Sequence, residues 1–328
     1  MEDNERKLSP MAFEKTEEQF PWGKETYVMA DLGFVDSKVS CGWLRDNALS
    51  DIMETYLERV VGDNAFYYYG RQFPLMVKKI DCVTDSPLMV CPDDIIAAER
   101  YDSLGKAKFW YVTEAADGAC VGIGLARRLS AEEFYYGCED GSVLDSVNRI
   151  PVKAGDCFYI FPGIVHFIGA GVGLVEVSES SALDFMLYRQ GNDAADDESG
   201  AADALDFVNL SATAHEALHA GEEGYKVLDS GEFVISGIPV SSALKISTSD
   251  SDGFYIYICV GGEAVVAAAE GDGGAVALRK GESVLVPADC TDFVVEAVKE
   301  GTVLVEATAA RKELEESYVP DGRNDNEE

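Results

Sequence analysis

Two stretches decide how this chain is read: VKAGDCFYIFPGIVHF (152–167) and LRKGESVLVPADCTDF (278–293). Laid over one another, they match Gly155 with Gly281, Asp156 with Glu282, one apolar run with another, and Phe167 with Phe293, and a proline at 162 or 287 closes each run. Further on, GLVEV (173–177) resembles TVLVEA (302–307). A glycine turn, an acidic residue, a buried strand and a proline-led turn used twice predict two similar barrels of antiparallel strands. The first copy carries His166 where the second has Asp292.

Outward from the repeat, short β-rich runs dominate. FPLMVKKI, AKFWYV, CVGIGLA, DCFYIF, GLVEVSE and DFMLYR precede an acidic, small-residue stretch, GNDAADDESGAADALD (191–206), which reads as a solvated linker. After it come FVISGIPV, ALKIS, FYIYICV, EAVVAAA, SVLVPA and TVLVEATA. Helices are few. Residues 45–61 space Leu49, Ile52, Met53, Tyr56, Leu57 and Val60 as one amphipathic helix ending near Gly62. A second is expected after Pro92, where Asp93 and Asp94 suit a helix start, and a third after Ser130, with Glu132 and Glu133 in its first turn. The expected organisation is a first barrel with inserted helices over 1–190, a linker and helical connector over 191–226, a second barrel over 227–310 and a polar tail over 311–328.

Composition narrows the class. The 328 residues carry 26 Lys+Arg against 60 Asp+Glu, a net charge of −34, at 47% hydrophobic content. That is enough apolar material for a packed core, and a field this negative repels phosphate backbones and anionic lipid, so neither nucleic acid nor membrane is an expected partner. The start, MEDNERKLSP, shows no apolar signal segment, and no run is long enough to span a bilayer. Eight cysteines without CxxC spacing read as buried free thiols in a reducing compartment, so a cytoplasmic location is expected. Any metal or base proposal draws on three histidines, His166, His215 and His219.

Gly-Asp, apolar strand, Pro/Gly turn and then His resembles the second half of a cupin motif. The ordered segments PWGKE (21–25), FPLMVKKID (73–81), VCPDD (90–94), GKAKFWYV (105–112) and GDCFYIFPGIVHFIGAG (155–171) resemble the short, class I mannose-6-phosphate isomerases. The resemblance implies an all-β fold of two cupin (jelly-roll) barrels with an associated helical segment. It also implies aldose–ketose isomerisation of a hexose phosphate through an enediol-like intermediate, on a divalent metal, usually zinc. The family holds that metal with the Gln and His of QVHP, the Glu of GKTE and a His after PAGTV. Those positions read Met89, Cys91, Lys108 and His166 here. The family serine before the glutamine aligns with Pro87, and an expected arginine with Met186. The resemblance implies a phosphate-side lysine in GKTE, which is retained as Lys106, and His166 also matches; no complete catalytic set is retained.

Lys108 for Glu is the severe change, because it sets an ammonium where an anion should grip a +2 ion. Cys91 is a milder one, since a thiolate binds zinc well, whereas Met89 offers only a thioether. Three readings stay open. The chain keeps weak isomerase activity using a metal on Cys91, His166 and a rearranged carboxylate. Alternatively it is a non-catalytic binder of a sugar or sugar phosphate, with Lys106 and Lys108 attracting the anion into the barrel mouth; with no metal bound, Lys108 itself supplies the positive charge, paired with Glu176 or Glu179. Third, it is a structural or regulatory partner of a working isomerase. The HEALH stretch (215–219) fits a zinc-protease pattern but reads as a surface helix in the connector. The glycines of CVGIGLA read as turns and barrel corners rather than nucleotide loops.

Overall fold

The computed structural model describes residues 6–190, 199–215, 217–218, 226–269 and 274–313. It is mostly strand with few helices, and its main sheets are antiparallel. The chain divides into two compact units.

One unit comprises 17–25 and 79–219. In one of its sheets Lys108–Ala115 lies between Val172–Glu179 and Cys157–Ile160. A second sheet runs Phe185–Tyr188, Leu88–Val90, His166–Ile168, Cys120–Leu125, Val147–Pro151. Trp110, Val112, Phe158, Ile160 and Leu174 of the first pack on Val121, Ile123 and Ile168 of the second, the interdigitation that holds a β sandwich together. The helix Ala131–Asp140 covers the outer face of the second sheet with Phe134 and Cys138. It starts on the expected capping box, Ser130 Oγ accepting from Glu133 N at 3.1 Å while Glu133 accepts from Ser130 N at 2.8 Å.

The other unit comprises 1–16, 26–78 and 220–319. Tyr257, Val284, Val286 and Leu304 of one sheet pack on Val266, Leu278, Phe293 and Val295 of the next. The helical segment, expected to attend the first barrel, groups here instead. Its polar ends explain why: Arg59 pairs with Asp289 at 2.7 Å, Val60 O accepts from Ala288 N at 2.9 Å, and the Asp63 and Asn64 amides donate to Asp252. It is also not one helix. Leu57 takes φ +49° and Gly62 φ +89°, breaking the run into Leu49–Tyr56, Glu58–Val61 and Asp63–Tyr69.

The internal repeat is structural. Cys157–Ile160 pairs with Tyr111–Lys108 as Ser283–Val286 pairs with Ile258–Tyr255. Gly155 and Gly281 both take positive φ, +94° and +82°. The acidic residue after each closes the turn on itself: Asp156 Oδ2 accepts from Lys153 N and Glu282 Oε2 from Arg279 N, each at 2.9 Å. Among the described residues, no helix is long and apolar enough to cross a membrane.

Candidate active site

The first unit gathers its chemistry at one end of the sandwich. Lys108 opens the strand Lys108–Ala115, opposite Ile160 on one side and Ser178 on the other. Lys106 lies two residues earlier, tied by its own N–H to Pro92 O at 3.0 Å, and Ala107 N between the two donates to Glu179 Oε2 at 2.9 Å. The two lysines therefore project from a backbone anchored on both sides. Their side chains are only 2% and 5% exposed.

Asp184 meets both. Its Oδ2 accepts from Lys106 Nζ and its Oδ1 from Lys108 Nζ, while Cys91 Sγ donates to the same Oδ1 at 3.1 Å. Strand register brings them together. Phe185 pairs with Val90, so Asp184, one residue before, faces Cys91, one residue after. Lys108 Nζ also stands 3.9 Å from Glu176 Oε2, which accepts from Trp110 Nε1 at 2.8 Å. The sequence points to Glu176 or Glu179 as the partner of Lys108. The structure puts Asp184 closest, Glu176 second, and turns one Glu179 oxygen to the backbone. Asp184 gives no signal in the sequence, being an isolated acid in SSALDF whose role depends on a strand pairing across nearly a hundred residues.

His166 opens the strand His166–Ile168, in register with Met89 and Ile123. Its Nδ1 faces Ile164 O at 2.8 Å, so that nitrogen carries the proton and donates, and Nε2 presents a lone pair. Nε2 is buried without a hydrogen-bond partner. Burial and, next, the Lys108 charge push the imidazole down to about 3, so it is neutral at physiological pH. Burial and then Asp184 push the Cys91 thiol well above its ordinary range, which keeps it a thiol. The Trp110 ring stands edge-on to the imidazole, 5.6 Å between centroids. Met89 and Met186 face each other across the same sheet, half-buried, and Pro87 is buried nearby.

Donor atoms of Cys91, His166 and Asp184 lie within 4.8 Å of one another, a set that could hold a metal ion. Thiolate, imidazole and carboxylate are suitable in kind for zinc. The charges around them are not. The carboxylate is engaged on both oxygens by buried ammonium groups, and a +2 ion between them would meet two like charges at hydrogen-bond range. As arranged, these residues do not fit a divalent metal.

His215 is not in a helix. Ala212 bridges Leu125 and Leu218 bridges Cys157 as isolated β contacts, so the surface helix expected over HEALH is absent at 215 and 217–218. Glu216 and His219 lie outside the described residues. The extended backbone replaces the helix because Thr213 N and Leu218 N are spent on Leu125 O and Cys157 O.

Comparison with known proteins follows the same lines. No family model matches the chain. It is 36% identical over 116 residues to the mannose-6-phosphate isomerase of Streptococcus mutans serotype c, covering 35% of this chain and 36% of that protein. The matched part thus spans about a third of this curated relative. In fold, the mannose 6-phosphate isomerase of Bacillus subtilis superposes with a TM-score of 0.74 at 19% identity, over 92% of this chain and 99% of that one. A zinc-bound mannose 6-phosphate isomerase superposes with a TM-score of 0.70 at 13% identity, over 92% of this chain and 100% of the other. The chain is thus similar in local sequence to a curated mannose-6-phosphate isomerase and, over nearly its whole length, similar in fold to solved mannose 6-phosphate isomerases.

Proposed function

We propose that this is a mannose-6-phosphate isomerase-like protein of carbohydrate metabolism that receives a hexose phosphate in the cytoplasm. On this reading its isomerase turnover is weak or absent, because a lysine ammonium holds the place of the catalytic cation. Its two β sandwiches are then the two jelly-roll barrels of the family. The observation that carries the reading is the bond from Lys108 Nζ to Asp184 Oδ1, beside Cys91 and with Glu176 3.9 Å away. The family resemblance places a metal-binding glutamate at position 108. An ammonium there supplies one positive charge, tethered and already neutralised, where the family resemblance implies a divalent Lewis acid to steady an enediolate. His166 Nε2, neutral and unpartnered, remains able to accept a hydrogen bond from a sugar hydroxyl.

The cytoplasmic assignment rests on the cysteines. All eight are free, and seven are buried or partly buried, the pattern of a reducing compartment.

The test is restoration. The variant Met89→Gln, Cys91→His, Lys108→Glu, assayed with added zinc and mannose 6-phosphate beside the parent protein, should gain turnover that the parent lacks. Zinc-dependent isomerisation by the parent at a rate equal to the restored variant would overturn the reading.

A further inference from the structure

The Lys106, Lys108 and Asp184 cluster is unevenly buried, and that asymmetry has a chemical consequence. The two lysine side chains are 2% and 5% exposed, whereas the Asp184 side chain is 22% exposed. The carboxylate is the outermost member, and it stands on the short connector 180–184 rather than on a strand. That connector is a local turn, with Asp184 N donating to Ala182 O at 3.0 Å and Leu183 N to Ser181 Oγ at 3.2 Å. The lysines, by contrast, project from backbone held by Pro92 O and Glu179. Two fixed cations therefore converge on one carboxylate carried by a connector outside the strands, Asp184 being its last residue.

We propose that Lys106 and Lys108 form an anion seat which Asp184 fills, as a built-in occupant, until the phosphate or carboxylate of a ligand displaces it. A second observation points to the same ligand. His166 Nε2, in the same cluster, is a buried acceptor with no partner, and such groups are uncommon unless something brings the missing donor. A hydroxyl of an anionic sugar supplies it. This deepens the reading above, on which it rests for the sugar, and adds that the site is self-occluded. Displacement leaves each lysine with an anionic acceptor and frees Asp184 to the solvent side, so no buried charge is stranded.

The experiment measures binding of a hexose 6-phosphate, gluconate and inorganic phosphate to the full-length parent, to Asp184→Asn and to Asp184→Asn/Lys106→Ala by calorimetry. Removing the occupant should tighten anion binding by about tenfold or more, because an occluded seat lowers apparent affinity by the fraction of time it stands open. The added Lys106→Ala should abolish the gain. Gluconate binding without the phosphates would assign the seat to carboxylates, the reverse to phosphates, and either supports it. Hexose phosphate binding to the parent with no gain in Asp184→Asn overturns the occluded seat and leaves the sugar-phosphate reading standing. Inorganic phosphate binding to Asp184→Asn as tightly as the sugar phosphate keeps the seat and removes the sugar. No anion binding to either protein overturns both. Should Asp184→Asn fail to fold, crystals of the parent soaked with the hexose phosphate decide: the Asp184 carboxylate is displaced from both ammonium groups, or the inference falls.

Discussion

The Lys108 ammonium is hydrogen-bonded to Asp184 Oδ1, a carboxylate 76 positions further along the chain. The pair is local in space and remote in sequence, so it forms only when the strand Phe185–Tyr188 has docked on Leu88–Val90. Lys108 is thus a structural cation as well as a chemical one. Replacing it with Met keeps the length and removes the charge from beside Asp184 and Glu176. The expected cost is roughly 3 kcal/mol, the lower end for breaking a buried pair, read from denaturant unfolding. A change within about 0.5 kcal/mol would show that the ammonium is not holding the site together.

Cysteine chemistry separates the surface from the site. Cys41 is exposed, while Cys91 is buried and its thiol is pushed up by burial and by Asp184. A thiol reagent on the native protein should label Cys41 first and Cys91 only on unfolding, as located by mass spectrometry. Rapid native labelling of Cys91 would mean a thiolate, and with it a different charge balance around Lys108.

The imidazole of His166 gives a pH signature. Its folded pKa, about 3, lies below the ordinary 6.5, so the unfolded chain binds a proton that the folded one refuses. Stability from this group is therefore complete above 6.5 and falls as pH drops from 6.5 toward 3. His166→Gln should flatten that part of the stability curve. In NMR spectra the His166 ring should hold one neutral state, with the proton on Nδ1, down to the acid transition. Titration near the ordinary value would contradict the buried, cation-flanked setting.

The repeated glycine turn makes a simpler prediction. Gly155 sits at φ +94° with open space where a side-chain carbon would stand, so Gly155→Ala meets only backbone strain. A loss of about 1–2 kcal/mol is expected, and less for Asn, which tolerates the left-handed region better. Equal stability of the Ala variant would argue that the turn is not held in this form.

Much of this architecture is legible in the residues alone. The repeat of Gly155 and Asp156 by Gly281 and Glu282 is readable because each copy needs a positive-φ residue followed by an acid that can catch a nearby amide, and both do so. The helix after Ser130 is readable for the same local reason. What escapes is set by tertiary pairing. The apolar spacing of 45–61 gives no hint of the break at Leu57, which takes φ +49°. HEALH has helical spacing, but Leu218 within it pairs with Cys157 as an isolated β contact. Asp184 is an ordinary acid until register sets it against Cys91. The substitution of Lys108 is visible from a family pattern, yet its partner is not.

Zinc retention is the decisive measurement. The parent protein, purified without chelator, incubated with zinc and desalted, should retain far less than one equivalent, while the variant Met89→Gln, Cys91→His, Lys108→Glu should retain close to one. A full equivalent of zinc in the parent, lost on His166→Ala, would contradict the loss of the metal site, since the ammonium of Lys108 would then have yielded its place.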